Sequence, residues 1–243
     1  MLSFNLVRRK LLLCIIGGSI IGPICYPKLI RMALAMGRRD YPQGMQIVEG
    51  DVKINGIQAT AGSIVNFGDI VMTGDNGKAV FVVNRSVYLL RENTSMTLSI
   101  EPDESEKENM VSILKLLNGK LLSVFGKGKR RLVTNTAVIG VRGTAVYLES
   151  DPKKTYVCTC YGKAEIRSRY YRSVRESVRT FHHEKPRFVY GEGADEILVV
   201  APVYNHTDEE LTMLESLVGR VPPFYRDKRL ERNGGNGGNG GGY

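Results

Sequence analysis

From residue 46 the chain alternates apolar and polar positions, with Val48, Val52 and Ile54 set against Glu49, Asp51 and Lys53. Turn signals interrupt it at Glu49-Gly50-Asp51, Asn55-Gly56, Ala61-Gly62, Phe67-Gly68-Asp69 and Gly74-Asp75-Asn76-Gly77. Period-two alternation broken this often predicts short strands joined by tight turns. Residues 79–83, 87–90 and 96–100 are further candidate strands, and 111–117 and 120–125 flank Asn118-Gly119. That dipeptide tolerates the positive φ values of a type I′ turn, so a hairpin is expected there. Gly126-Lys127-Gly128-Lys129-Arg130-Arg131 reads as a solvated turn, because no Ser/Thr and no helix follow it as a phosphate loop requires. The period changes only near the end. Thr207-Asp208-Glu209-Glu210 forms a capping box, Leu211, Leu214, Leu217 and Val218 form an apolar stripe, and Gly219 with Pro222-Pro223 stops the helix. The expected fold is mainly β: a stacked, short-strand sandwich or solenoid-like body with one C-terminal amphipathic helix docked on it, and 222–225 as an adjacent anchor.

Composition agrees with that reading and limits the function. The 243 residues are 42% hydrophobic and 24% charged, enough for a substantial core, and 27 Gly with no Trp suit a turn-rich β protein. The net charge of +9 is concentrated at the two ends. Residues 36–219 are close to neutral, which argues against a dedicated nucleic-acid-binding domain. No Gly-x-Ser-x-Gly, His-Glu-x-x-His or plausible triad spacing is present, so an enzyme is not expected.

Residues 1–35 read as an export leader. Arg8, Arg9 and Lys10 precede an apolar stretch from Leu11 to Ile24, and Ala33-Leu34-Ala35 offers the small-x-small pattern of a signal-peptidase site. Gly17, Gly18, Gly22 and Pro23 break the stretch, and it is shorter than the ~20 residues that span a bilayer. The Arg8-Arg9 pair resembles a twin-arginine leader. The expected location is therefore periplasmic or otherwise extracytoplasmic, with an inner-membrane anchor as the alternative if the leader is retained. At the other end, the Asn-Gly-Gly repeats of 226–243 cannot offset their ordering entropy and predict a disordered tail.

Gly50-Asp51-Val52-Lys53-Ile54-Asn55-Gly56, Gly68-Asp69-Ile70-Val71-Met72-Thr73-Gly74, Leu116-Leu117-Asn118-Gly119-Lys120-Leu121 and above all Thr134-Asn135-Thr136-Ala137-Val138-Ile139-Gly140-Val141-Arg142-Gly143-Thr144 resemble the FecR domain. That family is named for the extracytoplasmic regulator of iron-dicitrate uptake. The resemblance spans 46–166 and leaves 167–225 as a C-terminal β/α extension. It implies an envelope β domain that binds a protein, a glycan or a small ligand in a signalling or scaffolding role. In the founding regulators a cytoplasmic segment before the membrane span engages a sigma factor. Only about ten residues precede the apolar stretch here, too few to fold, so a sigma-factor partner is not expected. Within the last motif, Gly140 and Gly143 bracket Val141-Arg142 where the backbone bends or approaches a neighbour. Arg142 and Thr144 are expected on one strand face, with Arg142 either stapling the fold through its guanidinium or contacting a ligand. Tyr161-Gly162-Lys163 faintly echoes Glu49-Gly50-Asp51, as a stacked architecture would.

Beyond the leader only Cys158 and Cys160 remain. Two apart on a strand, they share a face and point in parallel, which leaves a strained disulfide, metal or cofactor ligands, or two small buried residues. His182 and His183 follow within reach of a folded-back hairpin, and together the four would suit copper, zinc or haem iron. A redox-active dithiol is a further reading of the pair. Arg167, Arg169, Arg172, Arg175 and Arg179 with Tyr170 and Tyr171 form either a solvated strand pair or a surface for an anionic envelope partner, phospholipid or cell-wall ligand. The acid-rich 101–108 stretch reads as a solvated loop.

Overall fold

The structure, a computed structural model, describes residues 41–102 and 110–225. The leader, the tail and most of the acid-rich stretch lie outside them. Strand accounts for 53% of the described residues and helix for 7%, so the fold is mainly β. The strands are β1 (Gly44–Glu49), β2 (Val52–Ile54), β3 (Ile57–Gln58), β4 (Ile70–Thr73), β5 (Lys78–Val83), β6 (Ser86–Leu90), β7 (Ser95–Pro102) and β8 (Met110–Val124). After these come β9 (Lys129–Val133), β10 (Ala137–Arg142), β11 (Ala145–Ser150), β12 (Lys154–Ser168), β13 (Arg175–Thr180), β14 (Arg187–Tyr190) and β15 (Leu198–Val200), then helix α1 (Asp208–Leu217). No helix among the described residues is long and apolar enough to cross a membrane.

Two long strands hold the architecture together. The second half of β8 pairs with β6 and β11, whereas its first half pairs with β7 and, in parallel, with β9. Similarly β12 pairs first with β11 and β14, then with β10 and β13. Each strand therefore belongs to two sheets, passing from one to the other at Gly119 (φ 98°) and at Gly162 (φ 99°). The first sheet runs β1-β5-β6-β8-β11-β12-β14-β15 and the second β3-β2-β4-β7-β8-β9-β10-β12-β13.

Asn118-Gly119 is thus not a hairpin. The positive φ that would serve a type I′ turn serves a bend inside one 15-residue strand instead. Thr94 locks that bend, its Oγ1 accepting from Lys120 N at 2.9 Å. Thr144 plays the same part at Gly162, donating through Oγ1 to Lys163 O at 3.0 Å. Residue 166 falls within β12, so the segment beyond it continues the same sheet.

Phe81, Tyr88, Leu98, Leu116, Leu121, Ile139 and Ile166 fill the core between the sheets. A second core covers the outer face of the first sheet, where Val80, Leu89, Tyr147 and Tyr156 meet Leu211, Leu214, Val218 and Phe224 of the C-terminal segment. Burial on both faces explains why β5 and β6 read as unbroken apolar runs rather than alternations. Each of those large side chains contributes roughly 1.5–3 kcal/mol by leaving water. The capping box at Thr207 forms as expected, and Glu210 of that box also receives both carboxylate contacts of Arg91 Nη2, at 2.8 and 2.9 Å. The start of the helix is thereby fixed against the end of β6.

Candidate functional site

Cys158 and Cys160 lie on the first-sheet half of β12, on the face covered by the C-terminal segment, and both are fully buried free thiols. After β13 the chain turns back, and His183 adopts φ 60° while its N–H donates to Cys160 O at 3.0 Å. That turn presents the His183 ring to the cysteines, with Nδ1 3.5 Å from Cys158 Sγ. His206, next to the N-cap of α1, completes the group: its Nε2 is 3.0 Å from His183 Nδ1, and Tyr147 stacks on its ring at 4.5 Å. One donor atom from each of Cys158, Cys160, His183 and His206 lies within 4.8 Å of every other.

His182 does not join them. Its Nε2 meets the Asp208 carboxylate at 2.9 Å while its ring stacks on Phe224. Asp208 also reaches His183 Nε2, at 3.2 Å. The expected set of Cys158, Cys160, His182 and His183 is therefore corrected: His206 takes the place of His182.

Electrostatics make the two thiols unequal. Its contact with Cys160 first, and then those with His183 and His206, hold the Cys158 thiol far below its usual range against the opposing effect of burial. Burial pushes Cys160 well up. Burial also acts to lower His183, yet its contacts with Cys158 and Asp208 raise it on balance.

The other sequence motif divides in two. Gly143, at φ 61°, turns the chain between β10 and β11, so Arg142 ends exposed and Thr144 buried rather than both on one face. Thr144 is structural. The Arg142 side chain makes no hydrogen bond or ion pair with any described residue and does not staple the fold. It stands instead on the outer face of the second sheet, beside an open trough of ≈ 840 Å³ whose lining includes Gly140, Arg142, Lys163, Arg167 and Arg179, with Glu165 directly opposite Gly140. Like charges sit directly opposite one another there: Arg142 with Lys129, Lys163 with Arg179, and Arg167 with Arg175. Gly140 is central on this face, and a Cβ added to it would meet nothing within 4 Å.

The remaining part of the motif is a hydroxyl relay. Thr136 Oγ1 donates to Val189 O at 2.7 Å and lies 2.8 Å from Thr155 Oγ1, which is in turn 2.8 Å from Thr134 Oγ1.

No family model matches the chain, and no curated protein matches it in sequence. Two crystal structures of a candidate anti-sigma factor from Parabacteroides distasonis are similar to it, each with a TM-score of 0.43 and 11% identity. The similarity covers 54% of this chain and 58% of theirs, so the chain spans little more than half the length of those structures.

Sequence reasoning missed His206, a lone histidine among turn residues with no spacing relation to the cysteines. A usable signal was its neighbour: the capping box places His206 at the N-terminal end of a helix whose apolar stripe must pack on the strand bearing Cys158.

Proposed function

We propose that the chain is an exported, non-enzymatic FecR-like binding protein of the cell envelope. Its recognition surface is the basic trough on the outer face of the second sheet, and its partner is anionic: an acidic protein surface or an acidic cell-wall glycan. The observation that carries this reading is the two like-charge pairs directly opposite one another on one sheet face, Lys163 with Arg179 and Arg167 with Arg175. Such pairs oppose folding by roughly 0.2–1 kcal/mol each, a cost that a bound anion would relieve. Gly140 fits the same reading, since a glycine inside a strand costs about 0.5–1 kcal/mol and here a Cβ would meet no described residue within 4 Å. What the side chain would fill is the floor of the trough.

Titration calorimetry with poly-glutamate, a polyuronic acid and neutral dextran tests the proposal. Wild-type protein should bind at least one polyanion, more weakly as salt rises, and dextran not at all. Arg142→Ala with Arg179→Ala should weaken binding at least tenfold. Gly140→Leu should do the same while the melting temperature stays equal or rises, separating recognition from stability. Absence of polyanion binding at low salt, or binding indifferent to all three substitutions, would remove the trough as the recognition surface.

A further inference from the structure

The hydrogen-bond partners of the two buried histidines determine which ring nitrogens face the cysteines with lone pairs. His206 Nδ1 lies 2.7 Å from Tyr204 O, a carbonyl that can only accept. The hydrogen of that ring therefore sits on Nδ1, and Nε2 turns its lone pair inward. His183 Nε2 faces the Asp208 carboxylate at 3.2 Å, again an acceptor, so Nδ1 of that ring also turns a lone pair inward. These two nitrogens stand 3.0 Å apart, and with both rings neutral no hydrogen of their own lies between them. Two facing lone pairs repel unless something positive lies at their meeting point.

A proton would satisfy the nitrogens alone. It would not account for two thiols converging on the same point from β12, nor for the outer hydrogen bond that each ring makes to a carbonyl or carboxylate. Imidazoles that ligate metals are oriented by such outer acceptors. Tetrahedral coordination with metal–sulfur bonds of ~2.3 Å and metal–nitrogen bonds of ~2.0–2.1 Å gives edges of roughly 3.3–3.8 Å. The 3.5 Å from Cys158 Sγ to His183 Nδ1 lies in that range, and the 3.0 Å between the nitrogens needs only a small opening. Two thiolates and two imidazoles in a dry, closed site suit zinc best among the available divalent ions.

We propose that Cys158, Cys160, His183 and His206 bind one zinc ion, with Asp208 and Tyr204 orienting the two histidines. The site joins three pieces of chain: strand β12, the turn after β13, and the lead-in to α1. Zinc binding therefore clamps the C-terminal helix onto the first sheet and keeps the paired thiols reduced. It is independent of the basic trough, which lies on the second sheet, so either can fail without the other.

The test uses the full chain. Elemental analysis of purified protein should give one zinc per chain. The reduced, chelator-stripped protein titrated with Co²⁺ should develop thiolate charge-transfer and tetrahedral d–d absorption that saturates at one equivalent and is displaced by zinc. His206→Ala and Cys158→Ser should weaken Co²⁺ binding at least a hundredfold, and His182→Ala should leave it within about threefold. Metal removal should lower the melting temperature by roughly 10 °C. A β-type circular-dichroism spectrum retained by His206→Ala guards against simple misfolding. Failure of reduced wild type to bind cobalt or zinc, or loss of binding in His182→Ala equal to that in His206→Ala, would each overturn the assignment.

Discussion

Gly119→Ala should lower the unfolding free energy by about 3–5 kcal/mol, one of the largest effects of any single methyl group in this protein. Two independent costs combine. The backbone at 119 sits at φ 98°, a conformation that L side chains rarely adopt. An added Cβ would also lie 2.6 Å from Thr94 Cβ and nearer still to its Cα and Oγ1, so backbone would have to shift as well as side chain. The contact cannot relax cheaply, because Thr94 is buried and its hydroxyl already holds Lys120 N.

Gly162→Ala shares the backbone cost at φ 99° but meets Thr144 less severely, at 2.9 Å from Oγ1 and 3.2 Å from Cα. A loss of about 2 kcal/mol is expected there. Urea denaturation monitored by tyrosine fluorescence gives both values. If Gly119→Ala cost less than Gly162→Ala, or under about 1 kcal/mol, the bend at Gly119 would not be what lets β8 serve two sheets.

The same bends show how far the chain could be read in advance. Alternation placed β5, β6 and β7 nearly to the residue, because strands with one or both faces buried leave period-two or continuous apolar runs. The capping box and apolar stripe marked α1 for equally local reasons. Asn118-Gly119 misled because positive φ is a local property, whereas turn against bend is decided by what lies opposite, here Thr94 some 25 residues away. Arg142 was misplaced for a related reason: Gly143 reverses the face between it and Thr144, and no pattern of side chains records a single left-handed residue. Cys158, Cys160 and His183 were legible as donor chemistry. Which of two adjacent histidines faces the sulfurs depends on the His183 backbone and on a helix that arrives from elsewhere in the sequence.

That helix carries the second large prediction. Glu215 is 4% exposed on the buried side of α1, where its carboxylate accepts from the Tyr161 hydroxyl and pairs with Arg220. Arg220 also donates through Nη1 to Arg85 O at 2.9 Å, so one ionic contact ties the helix, β12 and the β5–β6 turn together. Glu215→Ala leaves a largely buried guanidinium and a buried phenol without their acceptor, and removing one partner of such a pair costs about 3–5 kcal/mol. Replacing both partners with apolar groups, Glu215→Leu with Arg220→Met, should recover the part of that loss due to the stranded charge, while the Tyr161 phenol stays without its acceptor. Tyr161 directly precedes Gly162, and α1 begins two residues after His206. Loosening this contact should therefore also weaken cobalt binding at the Cys158 site, severalfold in Glu215→Ala and much less in the double variant. A cost below about 1 kcal/mol in chemical denaturation would mean that apolar packing alone docks the helix, and that Glu215 is a passenger on it.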